Sequence, residues 1–135
     1  MNYLEVTLPI RVVSEANVRE CWQAKLRRKQ KQRAAVKIGL FNFQRSLRAH
    51  KGVFKVTLTR IGVRTLDGDN LQRAFKAVRD QVAEACGVDD GAKRIRFEYG
   101  QRKGKQKQYA VEIGIRMDGK GEATEQGWPP PKDAA

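Results

Sequence analysis

Leu4, Val6 and Leu8 alternate with Tyr3, Glu5 and Thr7, the two-residue period of a half-buried strand, and Pro9 marks its end near Ile10. The same period returns at Phe54, Val56 and Leu58 against Lys55, Thr57 and Thr59, which predicts a second strand over 53–61. Ile95, Phe97 and Tyr99 alternate with Arg96 and Glu98, and Tyr109, Val111, Ile113 and Ile115 repeat the pattern. Those two segments read as a hairpin, its exposed tip at 102–107. Elsewhere the period is helical. Ser14 and Asn17, followed by no breaker, open a long helix to about Ile38, where Gly39 reads as its stop. Residues 41–51 are irregular and basic, a loop or short helix. Leu71, Phe75, Val78, Val82 and Ala85/Cys86 then recur at the spacing of a single helix face, with Asp69 or Asn70 as N-cap and Gly87 past the last turn.

This order predicts an α+β fold: one domain over residues 1–116 with a small mixed sheet, a long basic helix and an amphipathic helix near the middle of the chain. Residues 117–135 hold Gly, Glu, Asp and three consecutive prolines after Trp128, the composition of a tail without a core of its own. At 135 residues the chain is long enough to bury a core without staples. Cys21, Cys86 and the single histidine, His50, lack metal-ligand spacing, so no zinc site is expected, and a reduced, cytoplasmic protein is. No apolar run approaches membrane-spanning length, and no membrane partner is expected.

Charge changes the picture most. With 28 Lys and Arg against 15 Asp and Glu, the formal net charge is +13, which points to a polyanionic partner and first of all to nucleic acid. The cations cluster. The long helix carries Arg19, Lys25, Arg27, Arg28, Lys29, Lys31, Arg33 and Lys37 against Glu20, with a thin apolar stripe of Val18, Trp22, Leu26 and Val36. Eight like charges on one helix cost stability unless an anion lies along them, and phosphates would release counterions on binding. Sharing the stripe, Trp22 reads as a core residue rather than a base-stacking platform. Arg102, Lys103, Lys105 and Lys107 place four more cations at the tip, which reads equally as a solubilising loop or as a finger into a groove or along a phosphate backbone.

Against this basic background, Asp67 and Asp69 stand two residues apart at the mouth of the amphipathic helix, and Asp89 and Asp90 follow its end. Clustered carboxylates are unfavourable unless a cation or proton is shared. Hard oxygen donors with few other candidate ligands select magnesium, or manganese, over zinc or copper. A helix N-terminus alongside favours a phosphate, completing the parts for metal-assisted phosphodiester hydrolysis. A calcium-binding EF-hand is excluded, because the twelfth position counted from Asp67 is Val78. The plain alternative is that both aspartates are turn and capping residues, which Asp-Gly-Asp-Asn suits.

The full order Arg64-Thr65-Leu66-Asp67-Gly68-Asp69-Asn70-Leu71, amphipathic helix, Gly87-Val88-Asp89-Asp90 and paired strands resembles the RusA family of Holliday junction resolvases, found in bacteria and their prophages. The resemblance spans about 3–115 and is specific between Leu66 and Asp90. It implies a magnesium-dependent, structure-selective endonuclease for four-way DNA junctions in recombination and repair. Asp67, Asp69 and Asp90 would be the metal ligands and catalytic residues, with Asp89 in support. Arg73 stands where the family has a lysine; an arginine there would stabilise phosphate charge but hardly release a proton. Arg27, Arg28, Lys31, Arg102, Lys103 and Lys105 are the candidate DNA-backbone contacts.

A straight helix over 70–86 would be about 25 Å long, whereas 86–90 reaches at most about 14 Å. That mismatch implies a site completed across the twofold axis of a homodimer, and paired nicks in opposed strands call for the same symmetry. The competing readings are a nonenzymatic basic nucleic-acid-binding protein and an RNA-binding basic domain.

Overall fold

Strand β2, Val53–Gly62, is the axis of the molecule because its alternation supplies one wholly apolar face: Phe54, Val56 and Leu58 have no exposed surface. The structure is a computed structural model that describes residues 3–13, 21–88, 93–105 and 108–118. Around β2 lie β1 (Tyr3–Leu8), β3 (Ile95–Lys103) and β4 (Ala110–Asp118), in the spatial order β1-β4-β2-β3. β4 is antiparallel to both β1 and β2, and β3 is parallel to β2, so the sheet is mixed. The α+β architecture expected from the sequence is the one observed.

The expected hairpin is not. β3 and β4 lie on opposite sides of β2, and the chain between them crosses the end of that strand, where Gly104 N–H donates to the Gly62 carbonyl at 2.8 Å. Alternation specifies which face of each strand is buried, not which strand lies beside it. Val56 backs onto Ile115 on one side and Phe97 on the other, and Leu58 onto Ile113 and Tyr99. Inserting β2 thus gives the most apolar strand two apolar neighbours. Parallel pairing needs a long crossover, supplied here by the helices between β2 and β3.

Those helices and the long basic helix cover the apolar face. α1 spans Trp22–Leu40, continues through a 3₁₀ turn at Phe41–Phe43 and joins α2, Gln44–Ala49. Gly39 therefore does not stop the helix. Its missing side chain serves a close approach instead, since a Cβ at that position would lie 2.6 Å from Leu8 Cδ2. α1 docks through Gln32, Val36 and Leu40. Of the described residues of the predicted stripe only Val36 is buried, for Trp22 is 70% and Leu26 47% exposed, so Trp22 is not a core residue. The predicted helix start, with Ser14, Asn17, Val18, Arg19 and Glu20, lies outside the described residues, as do Asp89, Asp90, Lys107 and the tail from 119.

The amphipathic segment is two helices, α3 (Gly68–Ala74) and α4 (Lys76–Cys86). Between them Phe75, at ψ 2°, departs from helical geometry, and its N–H reaches the Gln72 carbonyl at 3.2 Å in a 3₁₀ closure. The Phe75 side chain is fully buried against the Tyr99 ring, with centroids 5.9 Å apart. Burying that ring offsets the lost helical geometry, since a core aromatic stabilises by about 2–3 kcal/mol. α4 packs between the sheet, α1 and α2, and ends where the sequence predicts: Gly87 is left-handed at φ 75°, and Val88 N–H returns to the Ala83 carbonyl at 3.1 Å. Among the described residues no helix is long and apolar enough to cross a membrane.

Candidate metal and nucleic-acid site

Leaving β2, the chain must turn from the sheet into α3 within five residues, and two side chains fix that turn. Gln101, near the end of β3, donates from Nε2 to the Leu66 carbonyl at 2.6 Å and accepts the Leu66 N–H at 2.8 Å, replacing the ladder that β2 no longer provides. Arg60, buried at the end of β2, donates from Nε to the Val12 carbonyl at 2.8 Å and from an Nη to the Arg64 carbonyl. Burial, reinforced by Arg11 nearby, pulls its pKa below the ordinary guanidinium value. An arginine nevertheless stays charged in a protein, and the two carbonyls supply part of the solvation it has lost. Neither clamp has a local sequence signature. Both come from residues that merely continue a strand.

Held in this way, Asp67 is the N-cap of α3, its Oδ1 accepting the Asn70 N–H at 3.0 Å. The cap falls two or three residues earlier than the expected Asp69 or Asn70, because helical geometry begins at Gly68. Asp69 sits in the first turn, and both carboxylates are on the surface. One Asp67 oxygen is committed to the cap, and the exposed side chains of Asp67 and Asp69 offer their remaining oxygens as hard donors. Two exposed carboxylates fit a magnesium ion that keeps several waters and takes further ligands from a phosphate. Among the described residues no third His, Cys, Asp or Glu joins them.

The straight-helix length that implied completion across a dimer loses its premise, since the segment breaks at Phe75. A short α3 also presents a weaker dipole than the uninterrupted helix would. The anion-binding capacity lies in side chains instead. Arg73, in the last turn of α3, enters a cleft of about 400 Å³ between α3/α4 and α1, lined by Lys25, Lys29, Gln72, Arg73, Lys76 and Arg79. Arg79 is positioned from the sheet, with its guanidinium 5.0 Å from the Phe97 ring centroid and an Nη donating to Tyr99 Oη at 3.0 Å. Lys76 also pairs with Asp80 at 3.0 Å, one turn along the helix.

The other expected contacts fall into two groups. Arg27, Arg28 and Lys31 lie on a different side of α1, lining a cavity of about 590 Å³ with Arg11 and the chain that leaves β1. Arg102, Lys103 and Lys105 lie where β2 and β3 end together, beside the Leu66 turn; Arg102 pairs with Glu112, and the Lys105 N–H donates to the Gln108 side chain. Arg33 is bound within the fold, donating from Nε to Gln81 Oε1 at 3.1 Å and lying 3.9 Å from Glu84, an α1–α4 link.

Lys25 and Lys29 belong to the basic helix that the sequence suggests for phosphates but were not singled out as contacts, and Lys76 and Arg79 were not among the candidates. A signal for two of them existed, because Lys25 and Lys29 precede Gln32 and Val36 by seven residues and so share the docking face of α1. The sequence matches no known protein-family model and no curated protein.

Proposed function

We propose that this protein is a magnesium- or manganese-dependent endonuclease that nicks branched DNA, with the four-way junction as substrate and a homodimer as the acting form. The observation that carries the reading is that one short helix has exposed carboxylates at its head, Asp67 and Asp69, and one turn after Asp69 carries Arg73, which lines a cleft with four other cations. Hard-metal ligands and phosphate ligands thereby share one short helix.

Asp67 and Asp69 would hold the ion, with Asp90 as the third ligand that the RusA resemblance implies. The chemistry supplied by such an ion when bound is to activate a water and to offset charge on a phosphoryl oxygen. Arg73 contributes positive charge at the phosphate and holds its proton throughout, so the leaving oxygen must be protonated by solvent. Lys25, Lys29, Lys76 and Arg79 draw the backbone into the cleft, while Arg27, Arg28, Lys31, Arg102, Lys103 and Lys105 extend the basic surface to either side. Binding of this kind follows backbone charge and carries no base preference. The resemblance points to the cytoplasm of a bacterial or phage-infected cell.

Nicking of a labelled four-way junction by wild type, Asp67→Asn and Asp69→Asn, in magnesium and in EDTA, tests the reading. Symmetric, metal-dependent nicks lost in both variants with binding retained are expected. The second reading, a nonenzymatic nucleic-acid-binding protein, is favoured by the helix-capping role of Asp67; tight junction binding without nicks under any divalent ion would establish it. A monomer in sedimentation, with and without junction, would overturn the dimer.

A further inference from the structure

Three features fall outside the carboxylate chemistry: the cavity beside Arg27, the polar sheet face, and the exposed aromatic at the start of α1. The third can be followed furthest. Gln32, Val36 and Leu40 form the docking face of α1, and stepping back by seven and four residues along the same face gives Lys29, Lys25 and then Trp22. The face is apolar where α1 meets the core and cationic where it meets the cleft. Arg33 contacts Gln81 and Glu84, while Lys25 and Lys29 oppose Gln72, Arg73, Lys76 and Arg79, so α1 runs alongside α3 and α4 in the same direction. In that register Trp22, nearly one turn before Lys25, is displaced toward α3, whose head carries Asp67 and Asp69.

A lone exposed apolar residue is ordinary. An indole that is 70% exposed, three residues before Lys25 on the helix that supplies two cations to a five-cation cleft, is a different arrangement, because cations that track a backbone combined with an aromatic face are the two elements of single-strand recognition. We propose that Trp22 is a stacking platform for an unpaired base of the DNA strand whose phosphates lie in the cleft of Lys25, Lys29, Arg73, Lys76 and Arg79. The inference rests on the DNA-binding part of the proposed function and deepens it. In an intact duplex every base is already stacked on its neighbours and Trp22 gains nothing. At a branch point a base can leave the stack, and Trp22 then favours branched or single-stranded DNA over duplex.

The test is binding in EDTA, where no cleavage occurs, in a Trp128→Phe background that leaves Trp22 as the sole indole. An oligothymidylate and a hairpin duplex of equal length are titrated while Trp22 emission is followed. Saturable quenching by the oligothymidylate and little by the duplex is expected. Trp22→Ala, measured by anisotropy of the labelled DNA, should weaken oligothymidylate and junction binding about 5- to 100-fold, the range for one stacked base, with duplex binding within about twofold. Trp22→Phe should keep most of the affinity, and Lys25→Glu/Lys29→Glu should weaken both DNAs. Equal losses on duplex and single strand, no quenching, or quenching undiminished by the double charge reversal would each overturn the proposal. Selective quenching by a protein that never nicks would sustain it while removing the nuclease reading.

Discussion

Gln101 is the side chain on which the placement of the carboxylates most depends, and its removal gives a graded perturbation. Its amide makes two hydrogen bonds to Leu66, the residue before Asp67, and both are partly buried. Each contributes about 0.5–1.5 kcal/mol net, so Gln101→Leu should cost about 1–3 kcal/mol. For a domain of this size that is a fall in Tm of roughly 3–12 °C. Gln101→Glu keeps an acceptor for the Leu66 N–H but sets a carboxylate against the Leu66 carbonyl, so it should retain the first bond and lose the second. Amide exchange separates the two. In Gln101→Leu the Leu66 amide should lose about one to two orders of magnitude of protection, while amides of the β2–β4 ladder change only by the global loss. Gln101→Glu should fall between wild type and Leu at Leu66. If the site is the proposed one, nicking by Gln101→Leu should also need more magnesium, because the ligands are no longer held in place. Unchanged Leu66 exchange in Gln101→Leu would refute the clamp, whatever happened to Tm.

Other consequences can be checked by thermal or denaturant unfolding. Asp67→Ala removes the α3 cap and should cost about 0.5–2 kcal/mol, whereas Asp67→Asn keeps a capping oxygen and should stay within a few tenths, so loss of nicking in the Asn variant reports on chemistry rather than folding. Gly39→Ala gains about 1 kcal/mol of helix propensity but places a Cβ 2.6 Å from Leu8 Cδ2, so the same substitution should be more favourable in a Leu8→Ala background, where it should stabilise by about 1 kcal/mol, than in wild type. Burial raises the Cys86 thiol to about 12, with Arg94 opposing the shift only weakly. A folded pKa above the unfolded one means stability that is intact below the unfolded value near 9 and lost as pH rises toward 12. Cys86→Val should therefore flatten the alkaline limb of the stability–pH curve relative to wild type, and parallel limbs would contradict it.

Much of this molecule is written in its local pattern. The period of two at Leu4–Val6–Leu8, Phe54–Val56–Leu58 and Val111–Ile113–Ile115 specifies strands and their buried faces, because the pleat sends alternate side chains to opposite sides whatever the neighbours are. Gly87 ends α4 because only its backbone takes φ 75° without strain. The excess of Lys and Arg and the Asp67–Asp69 pair are equally legible. Position relative to distant residues is not. The place of β2 between β3 and β4 depends on which pairing surrounds the most apolar strand. The break at Phe75 goes with the Tyr99 ring packed against it, and the need for a glycine at 39 with the close approach of Leu8 of β1. Trp22 shares a helix with Val36 but not its burial, since docking is decided by where α3 and α4 lie along α1. The clamps from Gln101 and Arg60 and the cleft that joins Lys25 and Lys29 to Arg73 are made by segments far apart in the chain. Sequence periodicity encodes the face of an element; only the packed fold decides what that face meets.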